Sequence, residues 1–305
     1  MVTQIKGVVP IVLTPLKQNG DIDIKSCESL VEYLVESDAA ALYILGSASE
    51  QFLLNHIQRV DMIFAVSEAN KGRVPIIAGC SSMAPRNVFD LFKEVKTANI
   101  HGFHYIPEDL KIGDTQLIYM LNTYADVSSF PIYLYHNIKR GKALSFDVVA
   151  SLKSHPNILG IKVGGYNHDE MKQFLTLDDD SFQVMGAGGS QFYTWLELGA
   201  RAVTASAACC FPDMFNDLYT AFNQRDKKNA EKIQRRWNSF HADIPNTAPD
   251  NGEYAAEEKY ILKRLGIIQH DFCHFPYRKL DREEKRQIDH AMEKYNMIKY
   301  NMRQK

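Results

Sequence analysis

The chain has 305 residues, 45% hydrophobic and 24% charged, and a formal net charge of -2. That composition suits one large buried core, and it lacks the basic excess that would make nucleic acid or an anionic membrane the default partner. The five cysteines, Cys27, Cys80, Cys209, Cys210 and Cys273, are odd in number and show no C-x-x-C pair, which fits a reducing compartment better than a disulfide framework or a zinc site.

The opening MVTQIKGVVPIVLTP has no long apolar stretch before a small-residue cleavage site, and nowhere do about 18 apolar residues run together. The expectation is a soluble, cytoplasmic protein with no membrane partner. Val8 to Leu13 is the first of eight short apolar, β-branched runs that read as strands. It leads into Thr14-Pro15-Leu16, where a doubly wound nucleotide-binding fold would carry glycines instead. A helical pattern, Ile24 to Leu34, separates it from the second run, Ala41 to Leu45. That run ends in Gly46-Ser47-Ala48-Ser49-Glu50, a small-residue turn whose peptide N–H groups and hydroxyls suit a carboxylate. The same residues also fit an ordinary βα turn with no ligand.

The helical stretch Ile57 to Glu68 precedes the third run, Val74 to Ala78, and Ala84 to Lys96 precedes the fourth, Gly102 to Tyr105. His101 and His104 lie on that strand at a spacing that points them to opposite faces, so they do not form a metal pair. Thr115 to Tyr124 leads to the fifth run, Ile132 to Tyr135, which ends Tyr135-His136-Asn137 and brings a phenol to the rim. That tyrosine fits proton transfer, and equally a core residue with one satisfied hydroxyl. His136 reads as a turn residue or as a support for its neighbours.

Phe146 to Ser154 precedes the sixth run, Ile158 to Val163. It contains Gly-Ile-Lys162-Val-Gly-Gly, a lysine within an apolar strand. Burial disfavours the ammonium and supplies the neutral amine that attacks a carbonyl; a lysine snorkelling outward at a strand end fits the same string. His168 to Leu175, the seventh run Phe182 to Met185, Ser190 to Leu198 and the eighth run Ala202 to Ala205 complete the pattern. The run Gly186-Ala187-Gly188-Gly189-Ser190 after the seventh strand lacks the lysine of a phosphate loop. It reads as a glycine-rich turn, or as a backbone nest for an anionic substrate tail.

Eight βα repeats in about 210 residues predict a closed (β/α)8 barrel over residues 1–210, an α/β architecture with its reacting groups at the C-terminal strand ends. Helical patterns at Pro212 to Gln224, Lys228 to His241, Tyr254 to Leu265 and Arg282 to Asn301 predict a C-terminal extension, residues 211–305, packed on that barrel. The basic run from Arg225 to Arg236 alternates with acidic and polar residues and reads as a solvated helix face.

Taken together, Thr14-Pro15, the Gly46 to Glu50 turn, Tyr135-His136-Asn137 and Gly160-Ile161-Lys162 resemble, in order and spacing, the dihydrodipicolinate synthase and N-acetylneuraminate lyase superfamily. Its pattern is TP, G-[ST]-T-G-E, Y-N-x-P and G-[IV]-K. The resemblance extends over the whole chain, including Phe272 to Glu284 before the last helix. It implies a barrel with a helical tail, a homo-oligomer (tetramer or dimer), and no metal or organic cofactor.

Carried across by position, Lys162 matches the Schiff-base lysine, Tyr135 the catalytic tyrosine, and Ser47 the hydroxyl that relays protons. The N–H groups of Ser47 and Ala48 match the carboxylate cradle. Arg140 stands where synthases keep an arginine for a second carboxylate, and Thr14 and Gly186 are further expected substrate contacts. The implied function is a Schiff-base aldolase or lyase joining or cleaving pyruvate, or a larger 2-oxo acid, and an aldehyde. A 2-oxo acid dehydratase and a 2-oxo acid binding protein without turnover are the alternatives.

The chain departs from the pattern at Ala48 and Ser49, which replace threonine and glycine, and at Pro107-Glu108-Asp109, where an aromatic pair is usual. Gly186 to Ser190 also lacks the acidic residues of sialic acid lyases. These departures point away from both reference substrates, toward a smaller or differently decorated 2-oxo acid.

Overall fold

The computed structural model describes residues 4–108, 111–165, 167–248 and 253–298. The eight apolar runs form β1 (Gly7–Val12), β2 (Leu42–Ile44), β3 (Ile76–Gly79), β4 (Gly102–Tyr105), β5 (Ile132–Asn137), β6 (Ile158–Gly164), β7 (Gln183–Ala187) and β8 (Ala202–Ala205). They pair in parallel in chain order, and β8 closes on β1. Nearly every strand residue is buried, which is why these segments read as continuous apolar runs and not as alternation.

Between the strands lie α1 (Ile24–Glu36), α2 (His56–Asn70), α3 (Pro85–Glu94), α4 (Asp114–Val127), α5 (Phe146–Leu152), α6 (His168–Leu175) and α7 (Phe192–Leu198). Side-chain caps set the starts of four of them: Asp23 accepts from Ser26 N–H, Asn55 forms a capping box with Gln58, and Ser145 and Asn167 accept from the N–H groups of Val148 and Glu170.

Strand ends are where sequence and structure differ, and the differences build the site. β2 ends at Ile44 because Leu45 turns to φ 55°, which starts the small-residue turn early. β5 and β6 run further than their apolar patterns, to Asn137 and Gly164, because they stay paired there. The register sets Tyr135 opposite Lys162, so both side chains leave the same face of the sheet.

Beyond β8 come α8 (Ala207–Cys210), α9 (Pro212–Asn223), α10 (Lys227–Asp243), α11 (Ala255–Arg264) and α12 (Arg282–Lys294). α9 packs on β1 and takes the place of the eighth barrel helix. α10 buries Ala230, Ile233, Trp237 and Phe240 at helical spacing, leaving Lys227 and Arg235 in solvent. The helix expected to reach Asn301 ends at Lys294, where Tyr295 caps it and Asn296 turns to φ 51°; Asn301 itself lies outside the described residues. No helix among the described residues is long and apolar enough to cross a membrane.

α11 is unlike the others. Ala255 to Leu262 are buried on every side, including Glu257, Glu258 and Lys259. Lys259 is ion-paired with Glu50 of the turn after β2 and donates to the Phe272 carbonyl at 2.8 Å, while His274 N–H donates to the same Glu50 at 2.7 Å. Two C-terminal segments are thus tied to the barrel mouth through one carboxylate.

Candidate active site

A cavity of about 260 Å³ opens at the C-terminal ends of the strands, where the peptide groups of a parallel barrel and its turns converge. Lys162 lines it from β6, 2% exposed. Its Nζ lies 4.1 Å from the centre of the Tyr135 ring and 4.2 Å from that of Tyr43, whose other face stacks on His104 at 4.0 Å. Burial pulls the amine down to about 7; Glu253 opposes that fall and Arg140 adds to it. Near neutral pH a large share of the amine is unprotonated and nucleophilic.

Tyr135 also lines the cavity, and its hydroxyl accepts from Asn137 Nδ2 at 3.0 Å. His136, facing away, is buried against Phe174, with Nδ1 accepting the Leu144 N–H at 3.1 Å and Nε2 3.1 Å from the Glu170 carboxylate. It braces the strand end beside Tyr135. Ser47 and Ala48 reach the cavity from a short 3-10 turn, Ser47–Ser49, whose first N–H groups have no partner within the helix.

Ser47 Oγ donates to Glu253 Oε1 at 2.7 Å, and the same oxygen lies 2.8 Å from an Arg140 guanidinium nitrogen. Glu253 therefore spans the mouth from the end of β2 to the end of β5 and compensates the charge of Arg140. Sequence reading missed it, because the strand-end motifs carry no signal for a carboxylate arriving from the C-terminal segment.

Two expected contacts lie elsewhere. Thr14 is fully buried behind the turn and gives its hydroxyl to the Ser49 carbonyl at 2.7 Å, while Ser49 Oγ donates to Val12 O at 2.6 Å. Both shape the turn from outside the cavity. Gly186 lies in β7 with its Cα facing Trp195, where a Cβ would meet that indole at 2.7 Å, so it allows helix packing. The cavity is lined instead by Ala187, Gly188, Gly189 and Ser190.

After β4, where this chain departs from the family's aromatic pair, Glu108 is buried and accepts from Tyr105 at 3.0 Å, and Asp109 lies outside the described residues. Among the described residues no three His, Cys, Asp or Glu side chains are grouped to hold a metal ion.

A closed (β/α)8 barrel with a buried amine between two tyrosine rings at its mouth, in a chain related to dihydrodipicolinate synthases, is a carbon–carbon lyase. The sequence model of the Dihydrodipicolinate synthetase family matches residues 4–295, and the chain belongs to that family. It is 30% identical over 237 residues to the 4-hydroxy-tetrahydrodipicolinate synthase of Streptococcus mutans, covering 76% of this chain and 80% of that protein.

Among solved structures it is similar to a dihydrodipicolinate synthase from Bacteroides thetaiotaomicron, with a TM-score of 0.89, 22% identity, and 96% and 100% of the two chains covered. It is also similar to the wild-type sialic acid aldolase of Ruminococcus gnavus, with a TM-score of 0.89, 19% identity, and 97% and 98% covered. At those identities the structural likenesses speak to the fold.

Proposed function

We propose that the protein is a Schiff-base aldolase acting on pyruvate or a larger 2-oxo acid, with Lys162 as the amine that bonds to the ketone carbon. The observation that carries this reading is the Lys162 amine itself, buried at the cavity, pulled down to about 7 and enclosed by two tyrosine rings. The neutral amine adds to the C2 carbonyl, and the carbinolamine loses water to give an iminium. Tyr135 and Ser47 carry the protons that leave and enter, while the first N–H groups of the Ser47–Ala48 turn take the substrate carboxylate.

In the cleavage direction the iminium accepts the electron pair of the C3–C4 bond as the C4 hydroxyl loses its proton. An aldehyde departs and an enamine remains; protonation at C3 and hydrolysis release the 2-oxo acid and restore the amine. Run backwards, the enamine adds to the aldehyde.

Borohydride reduction in the presence of pyruvate tests the reading. One reduced adduct per chain, mapped to Lys162 by peptide mass, is the expected result. Adducts scattered over surface lysines, or undiminished in Lys162→Ala, would overturn it.

A further inference from the structure

The cavity is one-sided. Its wall takes residues from the ends of β1, β2, β5, β6, β7 and β8 and from the C-terminal helices, and among the described residues it takes none from β3 or β4. In the Schiff-base reading, on which this inference rests, the substrate reaches from the Ser47–Ala48 turn to Lys162 on the far side of the barrel. Carbons beyond C3 then run toward β7 and β8, where Gly188, Gly189 and Ala205 leave room.

Glu258 of α11 lines that end, 5% exposed. Its Oε1 accepts from the hydroxyl of Ser206, the residue directly after β8, at 2.7 Å. Its Oε2 is buried and has no hydrogen-bond partner among the described residues. An orphaned buried polar oxygen is costly in a folded chain, so a ligand group that completes it binds selectively. Burial, with Glu253 and Glu257 nearby, raises the carboxyl to about 8. At neutral pH it is therefore a neutral acid, with an O–H to give and no fixed negative charge to match. A hydroxyl is the complement, because it accepts from the carboxyl and still has a proton to donate to a neighbouring oxygen.

We propose that Glu258, oriented by Ser206, hydrogen-bonds a hydroxyl on the part of the substrate beyond the iminium carbon, so that the aldehyde formed or consumed is a hydroxylated one. Ala187, Gly188 and Gly189 offer no side-chain hydrogen-bonding group on the adjoining wall, where Ser190, Ser206, Trp237 and Glu258 supply the polar side-chain atoms and Glu258 is the acid among them.

Aldol addition of pyruvate to paired aldehydes tests this, glyceraldehyde against propanal and glycolaldehyde against acetaldehyde. Wild type is expected to favour the hydroxylated member of each pair by about tenfold or more in kcat/KM, the scale of one satisfied buried hydrogen bond. In Glu258→Leu the preference should fall by about tenfold, a ratio between variants that cancels the intrinsic reactivity of the two aldehydes. Glu258→Gln, whose amide still accepts and donates, should keep most of it.

A wild type indifferent to the hydroxyl, or a folded Glu258→Leu as selective as wild type, overturns the proposal. Should Glu258→Leu fail to fold, Ser206→Ala carries the same comparison, and undiminished selectivity there overturns it too. Pyruvate trapping at Lys162 is scored in parallel. If wild type forms no adduct, the Schiff-base reading fails; an adduct without aldehyde selectivity sinks the Glu258 proposal alone.

Discussion

An amine that attacks as a base and then carries the charge of an iminium needs surroundings that disfavour a free ammonium without pressing a carboxylate against it. Lys162 has these. Burial lowers it to about 7, and the faces of Tyr43 and Tyr135 at 4.2 and 4.1 Å accept positive charge by cation–π attraction. Below pH 7 the ammonium dominates and is inert, so the rate of pyruvate trapping should rise with pH through a midpoint near 7. A midpoint near the ordinary lysine value would mean that the amine is exposed when it reacts.

Tyr135→Phe should lower turnover by about 10²- to 10⁴-fold, the usual worth of a positioned proton-transfer group, with an unchanged circular dichroism spectrum. A loss of about twofold would remove Tyr135 from proton transfer. Lys162 and Tyr135 were legible in the sequence because each interrupts an apolar strand within a recognisable string. Tyr43 was not, since a tyrosine inside Leu-Tyr-Ile reads as one more core residue until the register brings it beneath the amine.

The strands were readable because parallel strands buried on both faces must be apolar throughout. Their ends were less so: β5 and β6 continue through His136, Asn137 and Gly164, where pairing and not apolarity decides the boundary. The larger omission is the burial of α11 and the carboxylate of Glu253, two residues ahead of it. The sequence marks Tyr254 to Leu265 only as helical, yet this helix is enclosed by the barrel mouth, α8 and α12, with Lys259 paired to Glu50 and Glu257 accepting from the Thr247 N–H.

Glu253 alters what Arg140 offers. The family resemblance implied a second substrate carboxylate for that arginine, but its charge is already met by a carboxylate of the chain at 2.8 Å. Glu253→Gln keeps the shape and removes the charge, so Arg140 should then favour acidic partners. Selectivity for succinic semialdehyde over butanal is expected to rise by about three- to tenfold, the range of a partly exposed charge pair. Because Glu253 holds the Lys162 amine up, the midpoint of pyruvate trapping should also move to lower pH. An unchanged aldehyde ratio would show that Arg140 takes no part in reading the second substrate.

At the scale of the whole molecule, the site is held against the interest of the fold. A lysine amine enclosed by rings and a protonated glutamate with an unused oxygen both occupy space that apolar side chains would fill at lower cost. Lys162→Met, an apolar replacement of similar length, should therefore stabilise the protein while abolishing trapping. The dependence on pH distinguishes this from ordinary repacking. Lys162 lies near 7 in the folded state against an ordinary value of 10.5. Between those values the unfolded chain binds more protons than the folded one, so wild-type stability from this group rises with pH across that window. Below 7 both states are protonated and the full penalty of the buried ammonium is present; above 10.5 both are neutral and it is gone. The opposing contribution of Glu258, whose folded carboxyl is raised from 4.5 to about 8, is common to both proteins and largely cancels in the comparison. At about 1.4 kcal/mol per unit, the lysine shift bounds the gain at roughly 5 kcal/mol, and relaxation around the new side chain reduces it. Thermal unfolding should show Lys162→Met melting higher than wild type by roughly 3–10 °C at pH 6, with the difference shrinking as the pH approaches 10. A gain independent of pH would assign it to packing alone, and a gain that grew with pH would contradict a lysine buried with a lowered pKa.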